Sequence, residues 1–188
     1  MFTASDLRKG LKIELDGEPY IVTQFEFCKP GKGQALYRCK LKNMLSGSTT
    51  DKTFRSVDKI GKPDLEEREL VYSYFDGMNY VFMDPDTYDQ VSIPQDVLGE
   101  QRHFLQEDAH CTVLFYRDRP IEVTLPYFVE MTIIETEPGA RGDTATNVAK
   151  PAKVDGGYEV QVPLFVNEGD LVRIDTRTGQ YSERVKKA

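Results

Sequence analysis

The sequence predicts an all-β protein built from three small barrels in series, and three observations predict it. Apolar and polar residues alternate with period two along most of the chain, turn-forming pairs recur about every 8–12 residues, and a single short segment carries helical spacing. Two Pro/Gly-marked gaps, Ile60-Gly61-Lys62-Pro63-Asp64 and Leu125-Pro126-Tyr127, fall between runs of strand pattern. They divide the chain into 1–64, 65–127 and 128–188. Pieces of about 60 residues are small, but a closed barrel removes exposed sheet edges and is workable at that size.

Each element follows from its own residues. Ile13-Glu14-Leu15, Asp16-Gly17 and Tyr20-Ile21-Val22 read as a hairpin, because an Asp-Gly pair suits a two-residue turn. Tyr37, Cys39 and Leu41 alternate with Arg38, Lys40 and Lys42, which gives a strand one apolar face and one wholly basic face. Val71 to Tyr74, Asp76-Gly77 and Tyr80 to Met83 form a second hairpin. Thr112 to Tyr116, a turn around Asp118-Arg119-Pro120, and Ile121 to Leu125 form a third. Glu159 to Val162, a turn at Glu168-Gly169-Asp170, Leu171 to Ile174 and a turn at Thr178-Gly179 repeat the design. Val97, Gln101, Phe104 and Leu105 predict a short helix within residues 95–107.

Composition removes several classes. Hydrophobic residues are 39% and charged residues 29% of the chain, too apolar for disorder. No run of about 18 apolar residues is present to cross a membrane as a helix. Met1-Phe2-Thr3-Ala4-Ser5-Asp6 lacks a basic segment followed by an apolar one, so no secretory signal is read. Cys28, Cys39 and Cys111 are odd in number and lack metal-ligand spacing, which suggests free thiols in a reducing compartment. A cytoplasmic location is expected.

The net charge of −7 is unevenly spread. Residues 1–64 hold 12 basic and 8 acidic side chains, residues 65–127 hold 4 and 13, and residues 128–188 hold 8 and 10. The basic first third suggests a polyanion partner, since Lys and Arg release counterions when they neutralise phosphates; a lysine-rich solvated face would read the same way. The acidic middle third does not bind nucleic acid by charge.

Among motifs, Lys29-Pro30-Gly31-Lys32-Gly33-Gln34 is the most unusual. Pro30-Gly31 suits the centre of a type II turn, leaving Lys32 between glycines at a hairpin tip. Turn chemistry alone favours a solvated lysine in a polar turn. The same geometry also suits a lysine that projects into a partner or is presented to a modifying enzyme. The Gly-Lys-Ser/Thr spacing of a nucleotide-binding loop is absent. Two further groups could serve RNA: the row Arg38, Lys40 and Lys42, and the pair Tyr181 and Arg184 beside the turn at Thr178-Gly179, where stacking and phosphate contact are feasible; surface decoration explains either about as well. His103, His110 and Cys111 fit no metal-ligand pattern, so no metal is expected; Arg141-Gly142-Asp143 is a weak three-letter match to an adhesion tripeptide.

Together these segments resemble bacterial elongation factor P, a translation factor family, over essentially the whole chain. The carrying residues are Asp6-Leu7-Arg8-Lys9-Gly10, Leu15-Asp16-Gly17-Glu18-Pro19-Tyr20, Lys29 through Ala35, Thr53-Phe54-Arg55-Ser56 and Phe128-Val129-Glu130. Glu137-Pro138-Gly139, Gly142-Asp143-Thr144-Ala145, Lys150-Pro151-Ala152, Val162-Pro163-Leu164-Phe165 and Asp175 through Tyr181 complete the set.

The resemblance implies an SH3-like barrel followed by two OB-type barrels in an L-shaped molecule. It implies a monomeric, non-enzymatic factor without a cofactor or membrane partner. Such a factor contacts both ribosomal subunits between the peptidyl and exit sites and relieves stalling at consecutive prolines. Lys32 falls on the family's loop lysine, supported by Pro30, Gly31, Gly33 and Gln34. In many members a modifying enzyme extends that lysine, often by β-lysylation, and the arm steadies the CCA end of the peptidyl-tRNA. RNA contacts are expected at Lys29, Arg38, Lys40, Lys42, Tyr181 and Arg184. Others are expected at Gly142, Asp143 and Thr144, in a loop that approaches the exit-site codon of the mRNA. This chain departs from many relatives at Thr146-Asn147-Val148, where smaller, glycine-rich residues are frequent, and at Leu36, where an aromatic is common. A general RNA-binding β-protein and a metal-dependent enzyme using His103, His110 and Cys111 are the competing classes.

Overall fold

A computed structural model describes residues 1–139 and 148–188. The chain falls into two compact units, residues 1–68 with 114–121, and residues 69–113 with 122–188. Its strands are β1 (Phe2–Thr3), β2 (Lys12–Leu15), β3 (Glu18–Cys28), β4 (Leu36–Asn43), β5 (Thr49–Arg55) and β6 (Lys59–Ile60), followed by β7 (Leu65–Phe75), β8 (Asn79–Met83) and β9 (Gln90–Pro94). After the short helix α1 (Gln95–Leu98) come β10 (His110–Tyr116), β11 (Arg119–Thr124), β12 (Phe128–Thr136), β13 (Ala149–Val154), β14 (Glu159–Pro163), β15 (Leu171–Asp175) and β16 (Gln180–Lys186).

The first unit is organised by the sheet β2-β3-β4-β5, with β1 paired to β6. Asp16 and Gly17 both take positive φ, 51° and 78°, and Leu15 pairs with Glu18, so the expected two-residue turn forms. Alternation places Ile13, Val22, Cys39, Leu41 and Phe54 inward, and Ala4, Leu7, Leu11 and Ile60 close the core from flanking segments. The stretch read as a linker is partly structural. Ile60 is fully buried, and the Gly61 carbonyl accepts from the Glu14 amide at 2.9 Å. A Cβ on Gly61 would lie 2.9 Å from the Glu14 carbonyl oxygen, so backbone approach requires glycine there.

Two five-stranded sheets follow, in the orders β11-β10-β7-β8-β9 and β14-β13-β12-β15-β16. In the latter, β12 changes partner along its length: Phe128 to Thr132 pair with β15, and Ile133 to Thr136 with β13. A register shift between Ile133 and Glu135 marks the corner, the local bend by which a sheet curls toward a barrel. Val129, Met131, Ile133, Val154, Val160, Val162, Val172 and Ile174 fill its buried face.

Several local expectations are corrected. The segment at 95–107 is helical only from Gln95 to Leu98; Gly99 at φ 58° interrupts it, and Gly99–Phe104 continues as a 3-10 turn. The third hairpin turns at Arg117-Asp118, both with positive φ, rather than at Asp118-Arg119-Pro120. Pro120 instead lies in β11, the edge of its sheet, where its missing N–H costs no ladder bond. The strands flanking Glu168-Gly169-Asp170 do not form a hairpin: β14 pairs with β13 and β15 with β12. Period-two alternation identifies strands, but it carries no record of which partner each will take.

Candidate nucleic-acid interface

Strands β3 and β4 pair from Tyr20↔Asn43 to Cys28↔Leu36, and the loop 29–35 closes their end. Within it, the Gly33 amide donates to the Pro30 carbonyl at 2.7 Å. Gly31 and Lys32 are therefore the central residues of the turn, and Gly31 does not adopt positive φ. The expected type II turn centred on Pro30-Gly31 is thus displaced by one residue. Pro30 opens the turn and Lys32 takes its third position. A Cβ on Gly33 would press at 3.3 Å on the Pro30 ring, whereas Gly31 has open space around it. Lys32 is exposed, as are Lys29 and Gln34, and no hydrogen bond or ion pair holds Lys32 among the described residues.

Behind the tip, cross-strand rows define two faces. Glu26, Arg38 and Thr53 form one row on the outer face; Gln24, Lys40 and Asp51 form the next, then Ile21, Lys42 and Thr49. Arg38, Lys40 and Lys42 are all exposed along one face, as alternation requires. Each of the first two has a carboxylate in its own row, Glu26 beside Arg38 and Asp51 beside Lys40. The row is therefore less positive than its own residues suggest.

The opposite face follows from a bulge. Val22 faces Leu41 and Gln24 faces Lys40, so Thr23 is an extra residue; its hydroxyl donates to the Lys40 carbonyl at 3.0 Å. The bulge exchanges odd and even positions and turns Phe25 and Phe27 to the same side as Val22. Phe27, Tyr37 and Phe54 then share one row, and Phe25, Cys39 and Lys52 the next. Phe54 and Cys39 are buried, but Phe25 and Phe27 remain 37% and 52% exposed. Ring centroids lie 5.1 Å apart for Phe27 and Tyr37, edge to face, and 6.2 Å for Phe25 and Tyr37. Lys52 Nζ stands 5.9 Å from the Phe54 ring centre. The sequence reading missed this cluster. Its signal was the change of phase from Tyr20 and Val22 to Phe25 and Phe27, which only an added residue reconciles.

Tyr181 and Arg184 occupy a different environment. Two register shifts in β16 set Tyr181 opposite Ile174 and Arg184 opposite Val172, so both turn toward the buried side of that sheet. Arg184 Nη1 donates to the Phe165 carbonyl at 3.3 Å and lies 3.6 Å from Asp170, and its guanidinium covers the Phe165 ring at 4.9 Å. Burial raises the Tyr181 hydroxyl pKa. Burial works against ionised Asp170, but backbone N–H groups of Asn167 and Ala188, together with Arg184, outweigh it and hold the pKa below the usual value. Arg177 similarly grips Asp175 through Nε and Nη2, at 3.0 and 2.9 Å, while stacking on Tyr127 at 4.5 Å. Gly142, Asp143 and Thr144 lie outside the described residues.

His103, His110 and Cys111 have separate surroundings. His103 stacks on Tyr158 at 5.2 Å and pairs with Glu100, His110 is exposed, and Cys111 is buried, which pushes its thiol up to about 11. Among the described residues no three His, Cys, Asp or Glu side chains converge as a metal site would require, and no helix is long and apolar enough to cross a membrane.

Three family models cover nearly the whole chain: the elongation factor P KOW-like domain at residues 3–60, the elongation factor P OB domain at 65–123, and the elongation factor P C-terminal domain at 129–184. The chain is 55% identical over 187 residues to elongation factor P of Desulfosudis oleivorans, with all of both chains covered. The chain belongs to the elongation factor P family. It is accordingly a translation factor, with the KOW-like and OB folds of that family. Elongation factor P of Desulfotalea psychrophila is 51% identical, covering 99% of this chain and all of that one. A solved structure of eukaryotic translation initiation factor 5A from Methanococcus jannaschii matches with a TM-score of 0.58 at 19% identity, over 66% of this chain and 91% of that one, a likeness of fold.

Proposed function

We propose that this elongation factor P family protein binds the ribosome between the peptidyl and exit sites and stimulates peptide bond formation at consecutive prolines. Lys32 is the effector, extended by a modifying enzyme, by β-lysylation in this reading, and laid along the CCA end of the peptidyl-tRNA. The factor is not an enzyme; the ribosome supplies the chemistry. Proline reacts poorly because its ring fixes φ and constrains the nascent chain, and holding the two reactants in alignment lowers such a barrier without an acid–base group. A long cationic arm suits this work, since it can follow RNA phosphates where a short side chain cannot.

The observation that carries the reading is the isolation of Lys32. It stands third in a tight turn, between two glycines, without an acceptor among the described residues. The reading includes a cytoplasmic monomer with barrels at 1–64, 65–127 and 128–188. It includes further RNA contacts from Lys29, Arg38, Lys40, Lys42 and the loop of Gly142, Asp143 and Thr144. Lys32→Ala is expected to retain the wild-type melting temperature and to lose relief of stalling on a polyproline reporter. Full reporter yield from that variant sinks the proposal. Intact mass of the protein from its native host reads out the modification.

A further inference from the structure

We propose that Phe25, Phe27 and Tyr37 form a stacking platform for an unpaired RNA base, on the face of the β3–β4 arm opposite the Arg38, Lys40 and Lys42 row. The proposal rests on the reading of this barrel as the RNA-facing part of the molecule and adds a binding subsite to it.

Three features of the arm lead there. The first is exposure. Phe25 and Phe27 keep part of their ring surface in water although Val22, on the same face, is only 1% exposed. A core extension would have covered them, whereas a bare ring on a rigid sheet gives a flat apolar surface at low entropic cost. The second is charge. Glu26 and Asp51 both fall in outer-face rows, and Lys52 is the only charged side chain in the two rows that hold the aromatic cluster. Lys29 and Lys32 follow within the adjoining loop, and none of these three lysines is in an ion pair among the described residues. Rings flanked by cations that no carboxylate pairs with match a ligand that is both flat and polyanionic. The third is register. The ladder continues to Cys28↔Leu36, one pair beyond Phe27↔Tyr37, so the rings stand on paired strands immediately below the Lys32 loop. Lys32 lies five positions after Phe27, a reach of at most roughly 18 Å even if fully extended. One strand could therefore meet the rings with a base and the lysines with its phosphates.

Duplex RNA is the wrong partner for such a surface, because its bases are already stacked and a side chain cannot reach their faces. The expected ligand is single-stranded and tolerant of sequence, since every base has a π face.

The chain contains no tryptophan, which gives a direct readout. In full-length protein, Phe27→Trp introduces a sole reporter, and stacking of a base on it quenches its fluorescence. Titration with single-stranded oligoadenylate of about twelve nucleotides is expected to quench it, while the matched duplex leaves it bright. By fluorescence anisotropy of labelled oligoadenylate, Phe27→Ala is expected to bind roughly fivefold to a hundredfold more weakly with an unchanged salt slope. Lys52→Ala is expected to reduce that slope by roughly 0.7. Unquenched tryptophan up to about 1 mM strand overturns the platform, well above the usual range of non-specific affinities. Equal quenching by duplex, undiminished binding by Phe27→Ala, or preferential binding of an acidic peptide overturns it as well. These outcomes are independent of the Lys32→Ala reporter test. A failed platform with intact Lys32 dependence leaves the proposed function standing, and the reverse result removes the function and keeps an RNA-binding surface.

Discussion

The β3–β4 arm and the β15–β16 hairpin are built from the same ingredients, aromatic rings and cations on paired antiparallel strands, and they use them in opposite ways. In the C-terminal hairpin every arginine is already engaged. Arg173 pairs with Glu183 and Glu130, Arg177 holds Asp175 and covers Tyr127, and Arg184 joins Asp170 to the Phe165 ring. In the N-terminal arm the rings of Phe25 and Phe27 stay partly exposed, and Lys29, Lys32 and Lys52 have no carboxylate partner among the described residues. The composition of a segment therefore does not decide whether its cations recognise a ligand or hold the fold. The presence or absence of an internal acceptor decides it.

The largest expected break in that comparison comes from matched alanine substitutions. Arg184→Ala leaves Asp170, which is fully buried, without its guanidinium and uncovers Phe165; it is expected to cost about 2–4 kcal/mol in urea unfolding. Arg38→Ala, on an open strand face, is expected to stay within about 0.5 kcal/mol of wild type. Equal losses from the two would end the distinction. A smaller effect, with a pH signature, is expected from Asp170→Asn. The folded-state pKa of Asp170 lies below 3.8, so its contribution is fully present above that value and fades as pH falls through the depressed one. The variant should lose about 2 kcal/mol near neutrality, and its stability curve should converge on wild type along the acid limb. The smallest effects sharpen the tip. Gly33→Ala should cost less than about 1 kcal/mol, because only the Pro30 ring must shift. Gly31→Ala, with open space and no positive φ, should be neutral or slightly stabilising in thermal unfolding. A clear loss from Gly31→Ala would mean that the turn samples another conformation.

Most of the fold was legible because alternation and Asp-Gly turns are local signals. The β2–β3 and β7–β8 hairpins follow directly from them. The exceptions share a physical cause. The pairing of β12 with both β13 and β15, and the separation of β14 from β15, depend on contacts between residues far apart in sequence, which no short window contains. The turn at the tip moved by one residue because Gly31 tolerates more than one conformation and composition does not choose among them. At the site, the exposure of Arg38, Lys40 and Lys42 was readable from period two. Their neighbours Glu26 and Asp51 required the register. Tyr181 and Arg184 differ by an odd number of positions and would face opposite ways in a regular strand. The extra residue Ser182 brings them to one side, and that side is buried. Bulges at Thr23 and Ser182 thus decide which side each of these groups faces.

The hydroxyl of Tyr116 donates to the Glu14 carboxylate and to the Gly17 carbonyl, and Arg117 reaches Glu14 at 2.8 Å. These bonds join residues 102, 99 and 103 positions apart. The first compact unit is therefore not complete when residues 1–68 have been made, because it also takes in residues 114–121. At ordinary synthesis rates the partners of Glu14 are added roughly 2–10 s later. During that interval water, rather than tyrosine, satisfies the turn at Asp16-Gly17, and the barrel that opens the chain is sealed by a strand from its middle.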